Sequence, residues 1–188
     1  MKSGKLARFN LRALDAALAS AVALVGAGFG IDAYAANATG TANATVVTPI
    51  AITAVDPLRF GAFSTDAAAQ TVTITPAGGR SGTVTRLVAA GNAGAPAFGA
   101  GTFTVAGDTA FNLTYAITLP GNGVVSISTG IGGAGRTMAV DSFTSNPSGT
   151  GALTTGSQAL SVGATLTTVA SQITGAYTGT YTVTVEYN

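Results

Sequence analysis

The run Gly130-Ile-Gly-Gly-Ala-Gly135-Arg-Thr137 fits the pattern GxGxxG and nearly fits the phosphate loop GxxxxGK[ST], with Arg136 in the lysine's place. Both motifs hold phosphate by aiming a helix N-terminus at it, so a helix must come directly after the glycines. The segment in that place, Thr137-Met-Ala-Val-Asp-Ser-Phe143, alternates or is irregular and has no helical period. The run therefore reads as a glycine-rich loop between strands. Other chemistry lacks its participants. The chain has no Cys and no His, and its lysines are confined to Lys2 and Lys5. Ser/His, Cys/His and Ser/Lys arrangements are thus unavailable, as are the usual transition-metal ligands. Asp56, Asp66, Asp108, Asp141 and Glu186 are too scattered for a calcium loop, and a glycoside-hydrolase reading lacks Trp platforms. Asp56 before Pro57 and Asp108 after Gly107 read as turn residues. Asn37, Asn43 and Asn112 open sequons that chance explains in so Asn- and Thr-rich a chain. The expectation is no enzyme, no metal and no cofactor.

The remaining chemistry is that of the main chain. In Gly175-Ala-Tyr-Thr-Gly-Thr-Tyr-Thr-Val-Thr-Val-Glu-Tyr-Asn188, Tyr181, Val183, Val185 and Tyr187 share one side of a period-2 pattern, with Thr180, Thr182, Thr184 and Glu186 on the other. That is a half-buried strand. A second alternation runs from Thr41 to Val55, with Ala42, Ala44, Val46, Thr48, Ile50, Ile52 and Ala54 in phase. Pro49 inside it marks an edge, a bulge or a break. Two such segments either close one sandwich in cis or exchange between chains, an extended segment of one subunit completing a sheet of the next. A ten-residue strand spans about 33 Å, enough to cross a sandwich.

The elements that must carry these segments are strands. The chain is 47% hydrophobic and only 8% charged, so it can bury a core while Thr, Ser, Asn and Gly cover most of its surface. Short alternating runs recur between Gly, Pro, Asn and Ser from Asn37 onward, at about Leu58–Phe63, Gln70–Thr75, Thr83–Val88, Thr102–Ala106, Phe111–Leu119, Val124–Ser128, Thr137–Phe143, Ala159–Leu166 and Gly179–Tyr187. Pro120-Gly-Asn-Gly123 reads as a turn, and Ala89–Ala100 and Gly149–Gly156 as loops. This spacing predicts a single all-β antiparallel sandwich or barrel. Lys2, Lys5, Arg8 and Arg12 precede an apolar stretch from Ala16 to Ile31, and Ala33-Tyr34-Ala35 offers a small-x-small cleavage site. That is a cleavable export signal, helical before removal, with cleavage expected before Ala36. Beyond it, four Arg face five carboxylates, a balance of −1, so no basic patch exists for nucleic acid. The chain divides into a signal peptide at 1–35, an N-terminal extension at 36–48 and a β-sandwich at 49–188.

Pro49-Ile-Ala-Ile-Thr53, Leu58-Arg-Phe-Gly61, Phe143-Thr-Ser-Asn-Pro147, Val162-Gly-Ala-Thr-Leu166 and the ending Gly175–Asn188 resemble the secreted bacterial domain-of-unknown-function family 4402. The ending is also similar to spore coat protein U and to archaic chaperone–usher pilins, which commonly carry a glycine fourteen places from the end and a penultimate aromatic. Gly175 and Tyr187 stand there. The resemblance implies an incomplete immunoglobulin-like, pilin-like sandwich, exported to the periplasm and then to the cell surface as a fimbrial subunit. A periplasmic chaperone, an outer-membrane usher and other copies of itself or related subunits would be its partners. It places the donor strand within Thr41–Ile52, with Ala42, Ala44, Val46, Ile50 and Ile52 as inserting side chains. It places the acceptor edge along the terminal strand, with Gly175, Tyr181, Val183, Val185 and Tyr187. Many pilins carry a disulfide, which this chain lacks. The alternative is a self-contained secreted adhesin or binding domain with its first strand folded in cis.

Overall fold

The structure, a computed structural model, describes residues 35–121 and 124–188. Residues 1–34 of the expected signal, including Ala33, lie outside the described residues, as do Asn122 and Gly123 of the expected turn, and Ala35 is exposed. Residues 35–50 form no strand, and the first strand is β1 (Ala51–Asp56). After it come β2 (Arg59–Phe60), β3 (Phe63–Ser64), β4 (Thr71–Ile74), β5 (Arg80–Gly82), β6 (Arg86–Leu87), β7 (Phe98–Gly99) and β8 (Gly101–Ala106). The second half supplies β9 (Thr114–Thr118), β10 (Val125–Ser128), β11 (Thr137–Asn146), β12 (Thr150–Ala152), β13 (Ser157–Thr167) and β14 (Thr184–Tyr187). The described residues contain no helix, and every strand pair is antiparallel.

The larger sheet is built around β13. On one edge this strand pairs with β11; on the other it pairs first with β8 and then with β4. The fork falls at Gly163, where a Cβ would collide with the Ile74 carbonyl oxygen and sit 2.7 Å from the Thr75 carbonyl carbon. Glycine is required there because two backbones approach more closely than any side chain permits. β1 continues this sheet beyond β8, β10 beyond β11, and β5 beyond β4. A smaller sheet has the order β12-β9-β14.

Burial follows the period-2 rule. In β13, Leu160, Val162, Ala164 and Leu166 are buried, and in β11 Met138 and Val140. They divide into two apolar clusters. One joins Val105, Leu160 and Val162 of the larger sheet to Tyr115 and Val185 of the smaller, with Leu153 between. The other joins Val72, Val84, Met138, Val140 and Leu166, with Leu58, Phe60, Phe63, Phe143 and Tyr177 packed against it only partly buried.

Several expected elements differ. Gly149–Gly156, expected as a loop, contains β12, and Leu153 within it is fully buried. A glycine disguised that strand: Gly151 lies against the Tyr115 ring, where a Cβ would be 2.5 Å from Cε1, so the absent side chain is the packing. The expected strand Leu58–Phe63 is broken at Gly61, whose φ of 72° a β-strand cannot hold, into β2 and β3. Phe111, expected to face inward, is exposed, because the strand begins only at Thr114. The loop reading of Gly130–Thr137 agrees with the structure, since the strand β11 opens at Thr137 where a phosphate loop needs a helix.

Candidate functional site: an open apolar groove

The second apolar cluster is left open on one side. A groove of about 860 Å³ lies over it between two stretches of chain, 57–66 and 172–181. Val125 and Ile127 of β10, Met138, Val140 and Phe143 of β11 and Leu166 of β13 line it from beneath. Leu58, Phe60, Phe63, Tyr177 and Tyr181 line it from the rims. An uncovered run of aromatic and aliphatic side chains of this kind is a candidate docking surface.

The 172–181 rim is attached at a few points. Ser128 and Thr178 exchange a reciprocal pair of main-chain hydrogen bonds, 2.8 and 2.9 Å. The Tyr177 hydroxyl lies 2.9 Å from the Gly135 carbonyl oxygen and 2.5 Å from that of Ile173, and accepts from Gln172 Nε2 at 2.8 Å. A Cβ at Gly179 would stand 2.7 Å from Ile127 Cγ2 and 2.8 Å from the Ser126 oxygen, so glycine lets this rim settle against β10. Tyr181 ends the groove. Its ring meets Phe103 edge-on at 6.2 Å and Phe143 at 5.3 Å, and burial pushes its phenol pKa up. Beyond Thr178, no main-chain hydrogen bond involves Gly179–Val183 among the described residues. Pairing with β9 resumes only at Thr184. The rim thus offers unspent donors and acceptors beside an apolar trough.

The 57–66 rim is held chiefly from behind. β2 pairs with β7 over two residues, and β3 with β6 over two. Between these short ladders stands Arg80 of β5. Its Nη1 donates to the carbonyls of Phe60 (3.2 Å) and Ala62 (3.3 Å), its Nη2 to that of Val88, and its Cζ lies 4.0 Å from the Phe98 ring centroid. Desolvation lowers the guanidinium pKa from its ordinary value.

The other end of the terminal strand anchors the chain's entry. The Tyr187 hydroxyl donates to the Thr48 carbonyl oxygen (2.9 Å) and accepts from the Asp108 N–H (2.8 Å). Asp108 Oδ2 accepts from the Thr48 N–H (3.1 Å) and Oδ1 from the Ala110 N–H (2.8 Å). Hydrogen bonds from Thr48 above all, then Ala110, hold this carboxyl below the usual carboxylate range against the opposing effect of desolvation. Asp108 makes the turn contact read from the sequence, through Ala110, and through Thr48 it is also a buried clamp.

The donor-strand candidates separate into two groups. Ala42, Ala44 and Val46 are exposed, Val46 to 95%. Ile50 and Ile52 pack against the first cluster, and Ile52 pairs with Val105. Of the acceptor-edge candidates, Tyr181, Val183, Val185 and Tyr187 point inward. Gly175 and Tyr181 line the groove, whereas Val183, Val185 and Tyr187 lie beyond it against the first cluster. Sequence reasoning missed the groove's other parts: Leu58, Phe60 and Phe63 as a rim, Phe143 and Tyr177 as lining, and Arg80 as the support. Leu58-Arg-Phe-Gly-Ala-Phe63 carried a readable apolar signal; nothing local marked Arg80.

No curated protein and no solved structure matches the chain. The family described as a domain of unknown function, DUF4402, matches residues 50–187, from just after Pro49 through Tyr187 of the Thr48 clamp. The chain belongs to that family.

Proposed function

We propose that the protein is an exported structural subunit with a pilin-like, immunoglobulin-like sandwich that polymerises by strand donation, the extension 36–48 of one copy filling the groove of the next. The observation that carries this reading is an open apolar groove flanked by main chain without partners, in a molecule whose extension is exposed and alternating. An added strand would satisfy the free main-chain groups of Gly179–Val183 and cover the aromatic lining, the mode of recognition known as β-augmentation.

The placement of the two parts favours a filament. The chain enters the body at Thr48, beside Tyr187, whereas the groove opens along 172–181. In this reading the donor root at Thr48 and the acceptor along 172–181 are different patches of the same chain, so donation is a heterologous, head-to-tail contact, which propagates when the rotation does not close. Ala42, Ala44 and Val46 are small, and Val46 contributes only about 1.5–3 kcal/mol on full burial. Most of the apolar gain therefore comes from covering Phe60, Phe63, Phe143 and Tyr177.

In this reading a chaperone occupies the groove during transit, an usher exports the subunit, and the fibre stands on the cell surface. The test is deletion of residues 36–48. The intact chain is expected to give a ladder in SDS that collapses on boiling. The deleted chain is expected to fold and remain a single species. A ladder from the deleted chain overturns the assignment.

A further inference from the structure

We propose that Arg80 is the positioning residue of the acceptor groove, its guanidinium holding the 57–66 rim at the spacing an added strand requires. This rests on the strand-donation reading above and deepens it. The rim has little main-chain support of its own: two ladders of two residues each, separated by the Gly61 kink. Across that kink, Arg80 reaches the carbonyls on either side of Gly61, those of Phe60 and Ala62, and a third at Val88. Ala62 also accepts from the Val88 N–H at 3.0 Å, so rim and β6 side are tied through the same group. The guanidinium is seated over Phe98, which belongs to the strand paired with β2. Gly61 completes the fit. Its φ of 72° makes the kink between the two carbonyls, and a Cβ there would lie 2.5 Å from Nη1.

One side chain thus gathers the three stretches behind the groove, while the lining side chains of β10, β11 and β13 are held by their own sheet. The consequence is separable. Loss of Arg80 frees the rim and spares the sheet, so the subunit loses the ability to accept a strand and keeps the ability to donate one. Only a planar fork supplies several donors in fixed directions; a lysine is a point charge on a flexible stem.

The experiment compares the full chain with Arg80→Met and Arg80→Lys by amide hydrogen exchange and by assembly. Arg80→Met is expected to raise exchange at 57–66 at least tenfold and leave 138–142 and 160–166 unchanged. Mixed with wild type, it is expected to add to growing polymers as a donor and then terminate them, so that mean length falls as its fraction rises. Binding of a synthetic peptide of residues 36–48 to the monomer is expected to weaken at least tenfold. Arg80→Lys is expected to fall between wild type and Arg80→Met in both rim exchange and peptide binding. If Arg80→Met does not fold, Arg80→Lys decides: wild-type rim exchange and peptide binding in that variant overturn the proposal. It is equally overturned if Arg80→Met loosens the rim yet accepts peptide and subunits as wild type does. If wild-type chain takes neither peptide nor a second copy, the strand-donation reading fails; the hold of Arg80 on the rim is still read from exchange at 57–66, where equality with Arg80→Met overturns it.

Discussion

Asp108 shows how one carboxylate can hold a distant segment. It accepts from Thr48, sixty positions earlier, and from Ala110, and Tyr187 closes the clamp from the other terminus. Because these donors favour the charged form, its folded pKa lies below the unfolded value of about 3.9. For a depressed carboxyl, the stabilisation is present above the unfolded pKa and is lost as pH falls through the folded one. Tyr187 is the titratable side chain facing it, its hydroxyl 2.8 Å from the Asp108 nitrogen. The exchange protection of the Thr48 amide is therefore expected to hold from neutrality down to about pH 4 and to fall below it. Asp108→Asn should remove that pH dependence. Protection unchanged through about pH 2 in the wild type counts against the carboxylate as the holding group. Nothing near Asp108 in the sequence names Thr48 or Tyr187; the Gly107-Asp108 dipeptide carries only a turn signal.

At the scale of elements, the alternating stretch Thr41–Val55 is two things. Its second part is β1, in register with β8 through Ile52 and Val105, and its first part has no strand. Pro49 stands at the division. The two parts should respond differently to the same change. Ile52→Asp places a charge against Val105's cluster and is expected to destabilise the fold by about 2–4 kcal/mol. Val46→Asp, at an exposed position, is expected to shift stability by no more than about 0.5 kcal/mol and to abolish the SDS-resistant ladder. Thermal denaturation and gel analysis of the two variants read both effects. A ladder from Val46→Asp removes Val46 from the donor face. The terminal strand divides likewise: its alternation is continuous from Tyr181 to Tyr187, yet only Thr184–Tyr187 is paired. Periodicity reports which side chains face inward and is silent on which main-chain groups have partners.

For the molecule as a whole, charge contributes little. The one ion pair among the described residues, Arg59–Asp56 at 3.8 Å, has both side chains about half exposed, 45% and 53%. Such a pair is worth about 0–1 kcal/mol. The melting temperature and the persistence of the polymer are thus expected to be nearly the same at about 0.05 M and about 1 M NaCl. Dissolution of the ladder by salt alone would show that charge, and not apolar burial with main-chain pairing, holds the copies together.

The sequence by itself determined the all-β class, the inward face of the terminal strand, and the glycine-loop character of Gly130–Thr137. These depend on the alternation of neighbours along one strand, which is written locally. Tertiary structure alone decided that β13 forks between β8 and β4 at Gly163, that a strand lies at Thr150–Ala152, and that the second cluster is open. Each of these is a relation between segments far apart in the chain. Arg80 reaches carbonyls 18 and 20 positions away, and Tyr187 reaches back 139 to Thr48. A groove is the space such segments leave between them, and no residue's own neighbours encode that space.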